Sequence, residues 1–218
     1  MKYFPVLSSI FITTLIISNI IAVKIGSFGG YFLPVAVIVF PVSYILGDII
    51  TEVYGYTAMR RTIWTGFACN LLAVFVLWLA QLIPAAPFYQ GQDAFVQVLS
   101  STPRILAASF IAYLLGGFTN AFVLAKLKIK TQGKMLWLRT IGSTVIGEGL
   151  DSLVFITLAF TGVFPGDQMV TLILTQWIFK VLFETIATPI TYAVTGMLKK
   201  AEQVDTYDLH TNFNPLQF

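Results

Sequence analysis

Residues 4–23 read FPVLSSIFITTLIISNIIAV, twenty consecutive positions without a charge. A helix of that length covers about 30 Å, the hydrocarbon thickness of a bilayer. Lys2 in front of it gives a superficial likeness to a signal peptide. No small-residue cleavage pattern follows, however, and further apolar runs do, so the stretch is read as a retained first span. Runs at 31–50, 62–83, 104–125, 140–163 and 169–196 repeat the pattern. Backbone polar groups in lipid must find partners within their own segment, which open strands cannot provide. The expected fold is therefore an all-α integral membrane protein, a six-helix transmembrane bundle over residues 1–200 with a polar tail at 201–218.

Composition agrees with lipid as the solvent. Of 218 residues, 57% are hydrophobic and 11% charged, where a soluble domain carries about one quarter charged. The net charge of +3 does not indicate nucleic acid, because the cations fall between apolar runs, where they set topology. Cys69 is the single cysteine. A disulfide within the chain, a thiolate zinc cage and an iron–sulfur site are thus excluded, and no metal or cofactor is expected.

Lys2, Arg60, Arg61, Lys126, Lys128, Lys130, Lys134, Arg139, Lys199 and Lys200 fall on one side of the expected bundle, and Lys24 and Arg104 on the other. The positive-inside rule puts both termini and the basic 126–139 loop in the cytoplasm. Residues 84–103 form a polar, proline-bearing loop opposite. In the second run, Pro34, Pro41 and Gly47 can kink or interrupt the helix and free backbone groups toward a cavity. The pairs Gly47-Asp48 and Gly147-Glu148 occupy the middle helix of each half, and two three-helix halves would suit an inverted repeat around a central site.

The residues that bear on function are ionisable groups at lipid depth, each costing at least a few kcal/mol unless paired or wet. Glu148 and Asp151, three apart, share one face of the fifth helix. Gln176, Lys180 and Glu184, spaced by four, share a face of the sixth. Counting about 1.5 Å per residue from opposite sides brings Asp151 and Lys180 to similar depth, so an ion pair between them is available. Glu148 and Glu184 then face a common cavity about a turn away, where two carboxylates cannot both ionise cheaply. Trp177 is a candidate stacking surface beside the amide of Gln176. Asn19 and Asn70 could close the site from the other half. Asp48 and Glu52 lie near the cytoplasmic end of the second run, with Arg60 or Arg61 as expected partners. A carboxylate accepts parallel hydrogen bonds from an N–H and an adjacent amino group, and an amide matches a neighbouring carbonyl. These ten residues therefore form a candidate substrate-binding set for a small, planar, uncharged or cationic solute, one with a guanine-like edge.

At the same positions the sequence resembles the bacterial and archaeal queuosine precursor transporters, also called the vitamin uptake transporter family. The resemblance rests on Ser18-Asn19-Ile20 with Lys24, on Gly47-Asp48 through Thr51-Glu52-Val-Tyr54-Gly55-Tyr56, and on Trp137-Leu-Arg139 with Ser143-Thr144 and Gly147-Glu148-Gly-Leu-Asp151-Ser. It continues in Gln176, Lys180, Glu184, Thr188-Pro189-Ile-Thr191-Tyr192 and the tail Tyr207-Asp208 to Asn212-Phe-Asn214-Pro215. It implies uptake across the inner membrane of 7-cyano-7-deazaguanine or 7-aminomethyl-7-deazaguanine, and of queuine in some members, for a tRNA modification. The fourth helix departs from the family pattern of Gly-Gln followed by Asp three residues later, having Gly116-Gly117 and Asn120 instead.

The expected partners are a deazapurine and the lipid bilayer, with no nucleic acid; a homodimer is compatible with the sequence. A rival function is the substrate-binding subunit of an energy-coupling-factor importer. No Walker A pattern occurs, so the chain has no such device of its own for ATP. An enzyme is disfavoured. His210, in the tail, is the single histidine, and a membrane-depth Ser-His relay or histidine metal pair cannot be built. The expected mechanism is a secondary carrier or facilitator.

Overall fold

The structure is a computed structural model that describes residues 1–28, 31–99 and 103–217. Helix α1 runs Phe4–Ile21; strands β1 (Ile25–Phe28) and β2 (Tyr31–Pro34) pair antiparallel; a short 3-10 turn covers Val35–Ile38. Then come α2 (Phe40–Tyr54), α3 (Tyr56–Leu82), α4 (Gln92–Leu99), α5 (Pro103–Lys130), α6 (Leu136–Phe160) and α7 (Gly166–Glu202). Among the described residues five helices, α1, α3, α5, α6 and α7, are long and apolar enough to cross a bilayer. The sixth, α2, has 15 residues and is packed among α1, α3, α5 and α7. The protein is a multi-pass helical membrane bundle.

The second run differs most from the sequence expectation. Residues 31–50 are not one helix, because 31–34 pair with β1 and the helix starts only at Phe40. Proline supplies the reason: Pro34 ends the strand and cannot donate to a helical ladder, while Pro41 stands in the first turn of α2, where its fixed φ suits a helix start. At the other end α2 runs past position 50 to Tyr54. Gly55, at φ 85°, makes the break, and α3 begins at Tyr56 rather than 62. Likewise α5 extends to Lys130 and α7 to Glu202. Because α2 is enclosed by protein, every residue from Leu46 to Tyr54 is buried. Membrane-depth backbone and polar groups are tolerated in such protein-lined settings.

At the end of the bundle where α2 stops, one buried acid gathers three cations. Glu52 is fully buried; Arg139 donates from Nε to its Oε2 at 2.7 Å and from Nη2 to its Oε1 at 2.8 Å. Lys199 reaches Oε1 at 2.5 Å, and Lys128 lies 3.6 Å from it. Asp205 in the tail completes the cluster, 2.5 Å from Lys128 and 2.9 Å from Lys199. Burial opposes ionisation of Asp205, but hydrogen bonds from Lys128 and Lys199 outweigh it and hold its carboxyl below the usual range.

The tail itself is folded onto this end. Thr206 N–H donates to Val53 O at 3.1 Å, and Asp208 Oδ2 accepts from the Tyr56 N–H at 3.0 Å, capping the start of α3. Arg60 donates to the carbonyls of Asn212 and Asn214, and Trp64 to that of Pro215. Arg60 is therefore not the partner of Glu52 that sequence proximity suggests. The turn at Gly55 carries it to the tail, where it is buried, and Arg139 takes its place. Glu202, closing α7, meets the amino group of Met1 at 3.4 Å, so both termini lie at this end.

Two outcomes follow for stability in detergent. A Cβ on Gly55 would lie 2.7 Å from Thr206 Cγ2 and 3.1 Å from Asp208 Oδ1. Gly55→Ala is expected to cost about 1–3 kcal/mol in backbone strain, plus the clash with the tail. Gly162→Ala, at φ 79° with open space around it, isolates the strain component. Equal melting shifts in the two variants would refute the tail contact. Glu52→Ala should cost about 3–5 kcal/mol, since it strands buried cations, whereas Lys199→Ala, partly exposed, should cost about 1 kcal/mol or less. With Asp205 depressed below an unfolded value of about 3.9, its contribution is intact above that pH and is lost as pH falls through the folded value. Asp205→Asn should flatten the acid limb of the thermal stability profile below about pH 4.

Candidate functional site

Tyr44, Asp48 and Glu52 lie at intervals of four on α2 and so share a face. One turn above the Glu52 clamp, that face meets a second polar cluster contributed by α5, α6 and α7. Asp48 is 1% exposed and Asn120, on α5, is 9% exposed; the Asn120 Nδ2 donates to Asp48 Oδ1 at 2.6 Å. α5 reaches that position because Gly147 on α6 lets the backbones meet. A Cβ there would stand 2.6 Å from Asn120 Cβ and 2.8 Å from its Cα. Asn120 is thus held next to Glu148.

Lys180 on α7 is buried between two acids of α6, with Nζ 2.5 Å from Asp151 Oδ2 and 3.0 Å from Glu148 Oε2. The Tyr44 ring lies 5.3 Å from the same nitrogen. Glu184, one turn further along α7, is 2% exposed. Asp48, Glu148 and Glu184 lie close enough to act on one another electrostatically. Among the described residues no Lys or Arg lies within 4 Å of Asp48 or Glu184.

Several buried oxygens here lack a hydrogen-bond partner among the described residues: Asp48 Oδ2, Asn120 Oδ1, Gln176 Oε1 and Glu184 Oε1, with the hydroxyl of Ser152. Buried polar groups are paired in the great majority of cases, and an exception calls for a reason. Apart from the hydroxyl, all are acceptors. The cluster is short of donors, and what suits it is a group rich in N–H, or a cation.

The expected residues thus divide. Asp48, Glu148, Asp151, Lys180 and Glu184 come together, with Gln176 on the same α7 face. Asp48 is buried in the bundle rather than solvated at an interface, because α2 begins nine residues later than the apolar run does. Glu52 belongs to the clamp at the end of the bundle, where all its acceptors are engaged. Asn19 and Asn70 line a separate cavity of about 450 Å³ between α1, α3 and α4, whose other walls are mostly apolar. Trp177 donates its indole N–H to Val145 O at 2.9 Å, and its ring lies against Gly149. It therefore seals α7 to α6. Asn120, Tyr44 and Arg139 are polar partners the sequence did not single out for a site. For Asn120 and Arg139 the signal was present, as a polar residue in an apolar run and as part of a matched motif.

Comparison with known proteins gives the relation. Residues 34–194, well over half of the chain, match the family described as "Putative vitamin uptake transporter". The chain is 25% identical over 187 residues to a "Probable queuosine precursor transporter" of Bacillus subtilis (strain 168), covering 85% of this chain and 82% of the relative. It is 27% identical over 150 residues to the "Queuosine precursor transporter" of Escherichia coli (strain K12), covering 67% and 65%. A "Probable queuosine precursor transporter" of Haemophilus influenzae (strain ATCC 51907 / DSM 11121 / KW20 / Rd) is 24% identical over 172 residues, covering 77% and 71%. No solved structure matches. The match spans the helices that carry the polar cluster, and the chain belongs to the vitamin uptake transporter family, a family of transporters rather than enzymes.

Proposed function

We propose that this protein takes up a queuosine precursor, 7-cyano-7-deazaguanine or 7-aminomethyl-7-deazaguanine, across the inner membrane as a secondary carrier or facilitator. The observation that carries the reading is the set of buried, unpartnered acceptor oxygens around Gln176 and Glu184. A guanine-like edge offers an N–H and an adjacent amino group, which a carboxylate can receive together. In this reading Glu148, Asp151, Gln176 and Glu184 bind the solute between α6 and α7. Lys180 offsets part of their charge, and the surplus of acids disfavours anions while tolerating the aminomethyl cation. The printed names of the relatives point to the same solute class.

The orientation we propose puts the end that holds Met1 and the tail in the cytoplasm. Arg60, Lys128, Arg139 and Lys199 gather there, and the positive-inside rule makes it cytoplasmic. The tail, bound to α2 and α3, then lies on the cytoplasmic face.

The test is uptake of labelled 7-cyano-7-deazaguanine by the purified protein in liposomes. Each lost charge-assisted hydrogen bond is worth about 1.5–3 kcal/mol, or about 10- to 100-fold in affinity. Glu148→Gln and Glu184→Gln proteins that insert normally should fall in uptake by that factor. Normal transport in both would remove these residues from the mechanism. Uptake by the wild type alone would also exclude a requirement for ATPase subunits.

A further inference from the structure

Lys180 is spent on Glu148 and Asp151, which leaves Asp48 and Glu184 without a basic partner among the described residues. The groups within hydrogen-bonding or electrostatic range of Asp48 are Asn120 on α5, Glu184 on α7, Glu148 on α6 and Glu52 on its own helix. From α1 and α3 the atoms nearest the neighbouring Gly47 belong to the Phe11 and Met59 side chains. The charged groups within electrostatic range of Glu184 are again carboxylates, Asp48 and Glu148. Two ionised carboxylates at lipid depth with no cation beside them would each cost at least a few kcal/mol. Among the described residues the Asn120 amide is the one donor to Asp48; it serves a single oxygen, and its own carbonyl oxygen is also buried and unpartnered. Asp48 Oδ2, Asn120 Oδ1 and Glu184 Oε1 are all buried acceptors on three different helices.

We propose that Asp48, Asn120 and Glu184 form a binding site for a monovalent cation, a proton or a sodium ion, whose occupancy is linked to solute transport. The site would use α2 and α5, which take no part in the solute contacts assigned above, and share Glu184 with them. Glu184 is the point of linkage: a cation held between it and Asp48 changes the charge that the solute edge meets. This inference rests on the transport reading for its coupling, but not for the site itself.

The experiment has two parts. Infrared difference spectra of the purified protein, taken on a change of pH at constant sodium and on a change of sodium at constant pH, read the carboxyl bands without any solute. A carboxyl band that responds in the wild type and is lost in Asp48→Asn supports the site, and the responding arm identifies the ion. Liposomes carrying an inward gradient of one ion at a time then test coupling. The wild type is expected to accumulate labelled 7-cyano-7-deazaguanine above equilibrium under that ion's gradient. Asp48→Asn should still bind it and reach only the equilibrium level. Bands indifferent to both ions, equal accumulation by Asp48→Asn, or loss of solute binding in that variant would each overturn the proposal. A responding carboxyl band in a wild type that neither binds nor moves the deazapurine would support the cation site and defeat the transport reading instead.

Discussion

A carboxylate in hydrocarbon cannot take water as its partner, so each one inside this bundle must be matched by a cation, by hydrogen-bond donors or by a ligand. The placement of α2 is what makes the matching unequal. It is short, enclosed by other helices, and carries two acids on one face. Glu52 reaches a level where Arg139, Lys199 and Lys128 converge, and it is saturated. Asp48, one turn away, reaches a level where the neighbours are an amide and other acids. The same helix thus bears a charge centre with cations to spare and one that is short of them.

That inequality organises the two ends of the protein differently. Around Glu52 the side chains are bidentate, crowded and tied to the tail through Asp205, Thr206 and Asp208, which holds the ends of α2, α3, α5, α6 and α7 together. Buried pairs of this kind gain little net energy over apolar packing but are costly to break singly. Their effect is to fix which helix end lies against which. Around Asp48 no such closure exists among the described residues, and Asp48 Oδ2, Asn120 Oδ1 and Glu184 Oε1 stay without hydrogen-bond partners there.

Much of this was legible in the residues. α6 and α7 are uninterrupted helices, so spacing alone put Glu148 with Asp151 and Lys180 with Glu184. A simple rise per residue brought Lys180 to Asp151, where it is found at 2.5 Å. Most of the family motifs likewise marked stretches on the two polar clusters or the tail, whereas the one in the first helix carries Asn19 to a separate cavity. The second run was harder. Pro34 and Pro41 signalled an interruption without saying where the helix would restart, and counting depth from residue 31 moved Asp48 and Glu52 outward to an interface. The partner of Glu52 could not be found by proximity along the chain either. Arg60 is eight residues away, but beyond the turn at Gly55 it is bound to the tail, and Arg139 arrives from another helix. Asn120 stood out in the sequence as a departure from the family pattern, whereas among the described residues its amide is the one donor to Asp48.

This last substitution shows how the cluster balances itself. An aspartate at position 120 would add another acid opposite Asp48, and the pair would need a shared proton or a cation merely to coexist. With asparagine, the chain keeps a side chain of the same shape and converts half of it into a donor. One oxygen of Asp48 is thereby satisfied, while the oxygen of the amide joins those left open. The substitution lowers the negative charge by one without closing the site. The polar centre remains short of donors, and that shortage is the property a donor-rich solute or a cation can use.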